Sequence, residues 1–430
     1  MEKNKNLTVD QTFDLAVQNH QNNNFQDAQY YYQKVLKIDP DHINTHNNLG
    51  VIFKELKENQ KAKECFEKVI KIDPNYAGAH NNLGVIFIEF GENQKAKECF
   101  EKAIEINPNY ADAYNNLGAI FQELEEIEKA KECFEKAIAI NPDYRVALLN
   151  KGKILFLQGE FELSLIEFDN CNTFDSRSFA LTSLYALGRI DEIYKRIEKN
   201  SQLDEKNIRV AAFSSFIANK VKKSTTHNFC PNPIDFIHHS NLSSHLQNFN
   251  SFIAEAIKEL DNVDIVWEPF NRTTIRGFQS KTTLFTKSQK KIQNLKSIII
   301  TEIESYYLKF KSETCSFIKK WPSKYNLVAW HVILKKHGYQ NPHIHPGGWL
   351  SGVIYLKVAP SFKNNEGAIE FSLNGKHYYD VESPKMLYLP KKGDIVLFPS
   401  SLHHRTIPFS TDTDRISIAF DLMPNFKKGL

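Results

Sequence analysis

The first 178 residues repeat one pattern of small, aromatic and polar positions every 34 residues. Small residues let two helices approach closely, an aromatic side chain fills the space between them, and proline ends the second helix. The pattern predicts paired helices in five units, at about 9–42, 43–76, 77–110, 111–144 and 145–178. The recurring positions are Gly50, Gly84, Gly118 and Gly152; Ala28, Ala62, Ala96, Ala130 and then Ser164; Tyr32, Phe66, Phe100, Phe134 and Phe168; and Pro40, Pro74, Pro108 and Pro142.

A unit of this length, with Gly, Ala, aromatic and Pro positions in this order, resembles the tetratricopeptide repeat. The resemblance implies an all-α superhelix over residues 1–200, in which the units near the ends of the array diverge from the others. Residues 179–225 keep a helical composition but lose the period. We therefore expect degenerate repeats up to residue 200 and a helical cap or linker over 201–226.

One polar position also follows the repeat and resembles the asparagine ladder in the repeat superhelix of O-linked N-acetylglucosamine transferase. That ladder lines a concave groove and grips the backbone of a bound peptide. A side-chain amide offers both a donor and an acceptor, as a sequence-tolerant grip requires. The resemblance implies peptide binding, whereas simple copying of near-identical repeats explains the same spacing without it. The four positions are Asn48, Asn82, Asn116 and Asn150.

The second half of the chain has a different pattern. Near Thr226 the helical period gives way to a segment rich in Pro, His, Asn and Ser, and helices are predicted at 248–260 and 290–313. Short strands separated by turn residues follow, which predicts a double-stranded β-helix, a jelly roll of the cupin kind, with flanking helices over residues 227–430. The strands are predicted near 326–336, 350–358, 367–372, 385–389, 394–398 and 415–422.

Three short motifs in this half carry candidate chemistry. His343 and His345 stand two residues apart, so on a strand both imidazoles project from one face and reach one metal ion. His404 follows a predicted strand and a further histidine at 403. Arg415 and Ser417 form a second pair on one face, on the last strand.

This order of a close pair, a distant histidine and a later arginine resembles the 2-oxoglutarate oxygenases. The resemblance is closest to a subgroup found behind such repeats, which shares FC-x-NP-x-DFI, TT-x-x-GFQ, PHIHP-x-x-WLSGV-x-YL and FPS-x-L-x-H-x-x-x-P…RISIAF with this chain. It implies that His343, His345 and His404 hold Fe(II), with positions left for 2-oxoglutarate and O₂. It also implies that Arg415, helped by Ser417, binds the distal carboxylate of 2-oxoglutarate, because a guanidinium pairs with a carboxylate through two hydrogen bonds.

The chain departs from the usual triad at His345, where the family carries Asp or Glu. Either three histidines hold the metal, or one of the pair lies behind the ligands and a carboxylate or water completes the site. All-His iron sites also occur in cupin thiol dioxygenases, and Arg415 with Ser417 argues against that branch. The motif spacing selects His404 as the distal ligand, with His403 pointing the other way. Tyr355 is a further candidate for contact with the co-substrate.

Composition narrows the classes of partner. The 54 basic and 51 acidic residues nearly balance, which gives no electrostatic case for nucleic acid or a membrane surface. No spanning apolar run and no apolar signal-peptide region are apparent in the sequence, so we expect a cytoplasmic protein. The six cysteines are expected to be structural, because equivalent positions of stacked repeats lie too far apart for disulfides.

The sequence therefore predicts an Fe(II)- and 2-oxoglutarate-dependent dioxygenase that hydroxylates a protein or peptide recruited by the repeat groove. The alternatives are an oxygenase for a small molecule whose repeats bind partners, and a non-catalytic repeat scaffold.

Overall fold

The protein folds into two compact units, Met1–Thr173 and Phe174–Leu430. A computed structural model describes residues 7–269, 272–286, 290–360 and 365–425. The first six residues lie outside the described residues. In the described part of the chain, no helix combines the length and the apolar character needed to cross a membrane.

The first unit consists of ten helices in five pairs. The leading helices of the pairs begin at residues 9, 43, 77, 111 and 145, which are the predicted starts of the five repeats. The tetratricopeptide-like superhelix expected from the sequence is therefore confirmed for this unit. The helices are α1 (Val9–Gln21), α2 (Phe25–Ile38), α3 (Ile43–Glu55), α4 (Asn59–Ile72), α5 (Ala77–Glu89), α6 (Asn93–Ile106), α7 (Ala111–Glu123), α8 (Ile127–Ile140), α9 (Arg145–Leu157) and α10 (Phe161–Cys171).

Each of the last four pairs is closed by a glycine facing a phenylalanine ring. A Cβ atom built on Gly84 of α5 would lie 2.6 Å from Cε1 of Phe100 on α6, and Phe100 is fully buried. The same contact recurs in the pairs α3–α4, α7–α8 and α9–α10. The periodic glycine is thus required by close helix approach. The thiols that precede these rings pack in the same interfaces, and burial raises the pKa of each to about 11: Cys65, Cys99 and Cys133.

Three further helices belong to the second unit: α11 (Phe174–Ala186), α12 (Ile190–Lys199) and α13 (Ile208–Val221). The sequence analysis assigned residues 174–200 to the repeats and 201–226 to a cap or linker, and that division of the chain stays a prediction. Helix α13 packs on the C-terminal core: Ile208 lies in the same cluster as Phe229, and Phe213 lies 5.1 Å from the ring of Tyr378.

In the described residues, ten strands and three α-helices complete the second unit. A seven-stranded sheet has the order β1-β8-β5-β10-β4-β3-β2, and a three-stranded sheet has the order β7-β6-β9. The elements are β1 (His238–Asn241), α14 (Phe249–Leu260), β2 (Ile265–Trp267), β3 (Thr274–Ser280), α15 (Lys290–Phe310), α16 (Ser316–Lys319), β4 (Tyr325–Gln340), β5 (Leu350–Lys357), β6 (Ile369–Ser372), β7 (Lys385–Tyr388), β8 (Asp394–Pro399), β9 (His403–Thr406) and β10 (Arg415–Pro424).

The two sheets pack face to face, as the predicted jelly roll requires. Phe371 of the small sheet lies 5.0 Å from Phe398 of the large sheet, ring to ring. Strand β10 lies in the middle of the large sheet, paired with β4 on one side and β5 on the other. Its residues alternate between two faces: Ile418 and Phe420 join the core formed with α14 and α15, and the residues between them face the other sheet.

Candidate metal centre

The imidazoles of His343, His345 and His404 converge in the space between the sheets. Their ligand nitrogens lie within 4.8 Å of one another. Residues 341–349 do not form the regular strand expected from the sequence. Instead, the backbones of His343 and His404 exchange two hydrogen bonds, of 3.1 and 3.0 Å, and the His345 amide donates to Ser400 O at 3.0 Å. These bonds bring the close pair and the distant histidine of the motif together.

One ring nitrogen of each histidine is held by a protein acceptor. The Nδ1 atoms of His343 and His404 donate to the carbonyl oxygens of Asn341, at 2.7 Å, and Leu402, at 3.2 Å. Nδ1 of His345 donates to a carboxylate oxygen of Asp421 at 2.6 Å. Because these acceptors carry no proton, Nδ1 holds the hydrogen in each ring and Nε2 keeps its lone pair for a metal.

The surroundings keep two of these rings neutral at physiological pH. Burial, with a smaller contribution from His345, lowers the pKa of His343 to about 3. Burial, followed by the neighbouring His343, also lowers the pKa of His404 well below its usual value. A neutral imidazole is the form that binds a metal, and imidazole donors suit divalent ions such as Fe(II). The donor set therefore fits the iron that the sequence analysis expected.

Asp421 is a residue of this site that the sequence analysis missed. It is buried on β10, where it accepts from His345 and, at 2.6 Å, from the hydroxyl of Ser351; a further hydroxyl contact of 2.8 Å joins Ser351 to Ser400. The signal was available in the alternation of the last strand, because position 421 lies on the same face as Arg415.

Arg415 and Ser417 lie in the same chamber as the histidines, and both are about 3% exposed. The guanidinium group lies 4.8 Å from the ring centre of Tyr355 and donates to Thr406 Oγ1 at 3.4 Å. Within the described residues, the Nε atom of Arg415 and the hydroxyl of Tyr355 are buried without a hydrogen-bond partner. Burial raises the pKa of this tyrosine and lowers that of the arginine. Buried unpartnered donors of this kind await an acceptor.

The chamber is closed in this conformation. Its cavity volume is about 30 Å³, room for about one water molecule. It extends from the three histidines to Arg415, and Trp330 and Gln340 contribute to its wall. Entry of a molecule as large as 2-oxoglutarate therefore requires wall side chains to move apart.

His403 lies outside the cluster of imidazoles, although it is adjacent to His404 on β9. Its ring lies 5.6 Å from Tyr378, and burial, with a smaller contribution from Arg209, lowers its pKa to about 3. A second cavity of about 200 Å³, lined by both His403 and His404, runs along the small sheet, where Arg405 pairs with Glu370 at 2.8 Å. Adjacent positions on β9 place His404 in the imidazole cluster and His403 outside it.

The predicted ladder residues Asn48, Asn82, Asn116 and Asn150 are half-buried on the leading helices of their repeats. Three of them bridge neighbouring repeats, two through a second asparagine: Asn116 Nδ2 donates to Asn81 Oδ1 at 2.9 Å, and Asn150 Nδ2 donates to Asn115 Oδ1 at 3.3 Å. Asn48 donates to the Tyr32 hydroxyl at 3.0 Å. These bonds use one amide hydrogen of each donor, so part of the hydrogen-bonding capacity of the ladder is already committed to the superhelix.

Comparison with known proteins distinguishes the same two parts of the chain, the helical repeats and the β-sheet domain. One tetratricopeptide repeat family model matches residues 43–76 and 111–144. Two other models of this repeat match residues 86–125 and residues 65–98. The family model described as "Putative 2OG-Fe(II) oxygenase" matches residues 328–421, which include the three histidines, Arg415 and Asp421. The search of curated proteins found no match.

Several solved structures are similar to parts of the chain. PilF of Pseudomonas aeruginosa is 21% identical, with a TM-score of 0.44, and the match covers 48% of this chain and 97% of PilF. PilW, a type IV pilus biogenesis factor, is 19% identical, with a TM-score of 0.43 and coverage of 48% and 98%. MamA is 29% identical, with a TM-score of 0.33 and coverage of 36% and 92%. The family models alone therefore identify tetratricopeptide repeats within residues 43–144 and a domain that matches the "Putative 2OG-Fe(II) oxygenase" model over residues 328–421.

Proposed function

We propose that the second unit is an Fe(II)- and 2-oxoglutarate-dependent dioxygenase. The observation that carries the proposal is the convergence of three imidazoles, with Nε2 atoms available, beside the buried guanidinium group of Arg415. The overall reaction converts 2-oxoglutarate, O₂ and a substrate C–H bond into succinate, CO₂ and a C–OH group. When bound, Fe(II) supplies the activation of O₂ that couples these two oxidations.

The protein's own residues bind and orient the reactants. His343, His345 and His404 hold the iron, and the acceptors on their Nδ1 atoms fix the direction of each ring. Arg415 binds the distal carboxylate of 2-oxoglutarate, and Ser417 adds a hydroxyl donor. The unpartnered hydroxyl of Tyr355 is a third donor for the same carboxylate.

The buried charge of Arg415 favours this co-substrate over a reaction without one. A guanidinium group that is about 3% exposed has lost most of its water, which costs free energy unless an anion replaces the hydration. A dicarboxylate that reaches from the metal to Arg415 supplies that anion. A cupin thiol dioxygenase does not use 2-oxoglutarate, so Arg415 would have no such partner there.

The test of the proposed reaction is succinate formation by the full-length protein supplied with Fe(II), ascorbate, O₂ and 2-oxoglutarate. We expect turnover that His404→Ala abolishes. Arg405→Lys is the matched control, because Arg405 lies one residue further along β9 but pairs with Glu370 outside the chamber. A folded wild-type protein that binds Fe(II) and consumes no 2-oxoglutarate, with or without a peptide library, would refute the proposal.

We further propose that the substrate is a protein or peptide held by the repeats. An extended peptide presents backbone N–H and C=O groups whatever its side chains, and the ladder asparagines offer amides at a regular interval. Each such contact contributes about 0.5–1.5 kcal/mol, so the four act together. Tethering raises the local concentration of the peptide near the oxygenase.

The ladder is tested by replacing its four members together. The variant with Asn48, Asn82, Asn116 and Asn150 all changed to Ala should raise the KM for a peptide substrate and leave uncoupled turnover of 2-oxoglutarate unchanged. Because three of these residues also join repeats, the double variant Asn81→Ala with Asn115→Ala is the control: it removes the acceptors of two of these inter-repeat bonds and keeps the ladder. Equal peptide KM in the ladder variant and the wild type would favour a small-molecule substrate instead.

A further inference from the structure

Asp421 is a buried carboxylate with one basic contact. It is 7% exposed, and in the described part of the chain the basic side chain in ion-pair contact with it is His345, at 2.6 Å. Its other contact is the hydroxyl of Ser351, at 2.6 Å. A carboxylate in such a place is unfavourable unless positive charge lies nearby. A divalent metal ion on the far side of the His345 ring would supply that charge.

The proposed metal site has the opposite imbalance. Three neutral imidazoles bring no negative charge to a divalent ion, whereas the usual triad of two histidines and one carboxylate brings one. The position that carries the carboxylate in that triad is His345 in this chain. In the described residues, the carboxylate that contacts this imidazole ring is that of Asp421, on the side of Nδ1.

We propose that Asp421 is the positioning residue of the metal centre, and that it carries from behind His345 the negative charge that the usual triad places on the metal itself. This inference rests on the proposed function, because it requires a metal at the three histidines. Accepting the Nδ1 hydrogen fixes the tautomer of His345 and makes Nε2 a stronger donor. Ser351 and Ser400 hold Asp421 in turn, so the carboxylate keeps its direction whether or not a metal is bound.

A second buried carboxylate of the same unit provides a matched control, because its hydrogen bonds involve none of the residues of the chamber. Glu302 of α15 is 5% exposed, accepts from the Ser240 hydroxyl at 2.5 Å and contacts Nε2 of His245 at 2.5 Å. It therefore reproduces the serine–carboxylate–histidine arrangement, but its histidine is not a member of the candidate metal cluster. Glu302→Gln therefore changes a buried carboxylate of the same kind without touching the three histidines.

The experiment is an anaerobic titration of the full-length apoprotein with Fe(II), and with Co(II) as a spectroscopic probe of the ligand field. Asp421→Asn keeps an acceptor for His345 and loses the charge, and Asp421→Ala loses both. We expect metal affinity to fall by about 10–100-fold in Asp421→Ala and by less in Asp421→Asn. The Co(II) absorption bands should shift in both variants, and Glu302→Gln should match the wild type.

A second readout separates positioning from structural support. The melting temperature is measured with and without metal, so that the effect on the apoprotein and the shift caused by binding are separate quantities. If Asp421 is purely structural, its substitution lowers the melting temperature of the apoprotein and leaves the shift caused by metal binding equal to that of the wild type. That result would overturn the inference while the proposed metal site stands. Failure of the wild-type protein to bind metal would overturn the proposed function as well. If Asp421→Ala does not fold, Asp421→Asn decides between these outcomes.

Discussion

Replacing Arg415 by Lys is the sharpest perturbation of the proposed co-substrate site. The substitution keeps the positive charge and shortens the group to a single ammonium, which cannot pair with a carboxylate through two parallel hydrogen bonds. Arg415 is about 3% exposed, and its contacts in the described chamber are the Thr406 hydroxyl at 3.4 Å and the face of Tyr355 at 4.8 Å. Lysine retains the attraction to the ring and loses the fork.

The loss corresponds to about one hydrogen bond to a charged group, or about 1.5–3 kcal/mol. That free energy is roughly a 10- to 150-fold increase in the Kd for 2-oxoglutarate. The affinity for Fe(II) should remain that of the wild type, because the hydrogen bonds that hold the three histidine rings go to Asn341, Asp421 and Leu402 and not to the altered group.

The assay is calorimetric titration of 2-oxoglutarate into the anaerobic, Fe(II)-loaded protein, with Arg405→Lys as the exposed control on a neighbouring strand. Unchanged binding in Arg415→Lys would refute the assignment of the distal carboxylate to this residue. It would also move the domain towards the thiol dioxygenases, whose all-His iron site needs no 2-oxoglutarate.

Three further predictions concern the metal ligands, the pH dependence of stability and the packing of the repeats. His404→Ala should abolish most Fe(II) binding, because two imidazoles leave an incomplete site, and His403→Ala should be mild by comparison in the same titration. Burial lowers the pKa of His331 from 6.5 to about 4, so between these pH values the unfolded chain binds one more proton than the folded chain, and the free energy of unfolding falls as pH drops. His331→Phe should reduce the slope of that free energy against pH by about 1.4 kcal/mol per pH unit, measured in denaturant melts. Gly84→Ala should destabilise the repeats by about 1–2 kcal/mol in a denaturant melt, because overlap with Phe100 outweighs the gain in helix propensity, and replacing Phe100 by Leu in addition should recover part of the loss.

The repeats were predictable from sequence to the residue because their packing is local. Each of the last four units buries its glycine against an aromatic residue of the next helix, so the 34-residue period reports the contact directly. The boundary with the second unit was not predictable in this way. Helix α13 looks like a further repeat helix by composition, and its assignment depends on contacts with residues such as Tyr378 that are distant in the sequence.

The metal cluster was predictable from the order of its motifs. The strands and the carboxylate that support the cluster were predictable only in part. Strand β9, which carries His404, reads HHRT and has no apolar alternation; it is a strand because it pairs with β6. Strand β1 reads HHSN and is defined in the same way by its pairing with β8. Asp421 was accessible to reasoning, since it shares a face with Arg415, but the register across β5 that brings Ser351 to it was not.

Because the interfaces of the repeats are equivalent, they affect how the number of repeats can change in evolution. The contact inside a unit joins a glycine to a phenylalanine of the same unit, and the contact between units joins asparagines one repeat apart, as in Asn116 with Asn81 and Asn150 with Asn115. A gene duplication or deletion of one whole 34-residue unit in the middle of the array would rebuild both contacts with the same partners. Array length is therefore a trait that recombination can alter in whole steps, without new compensating substitutions at the joins.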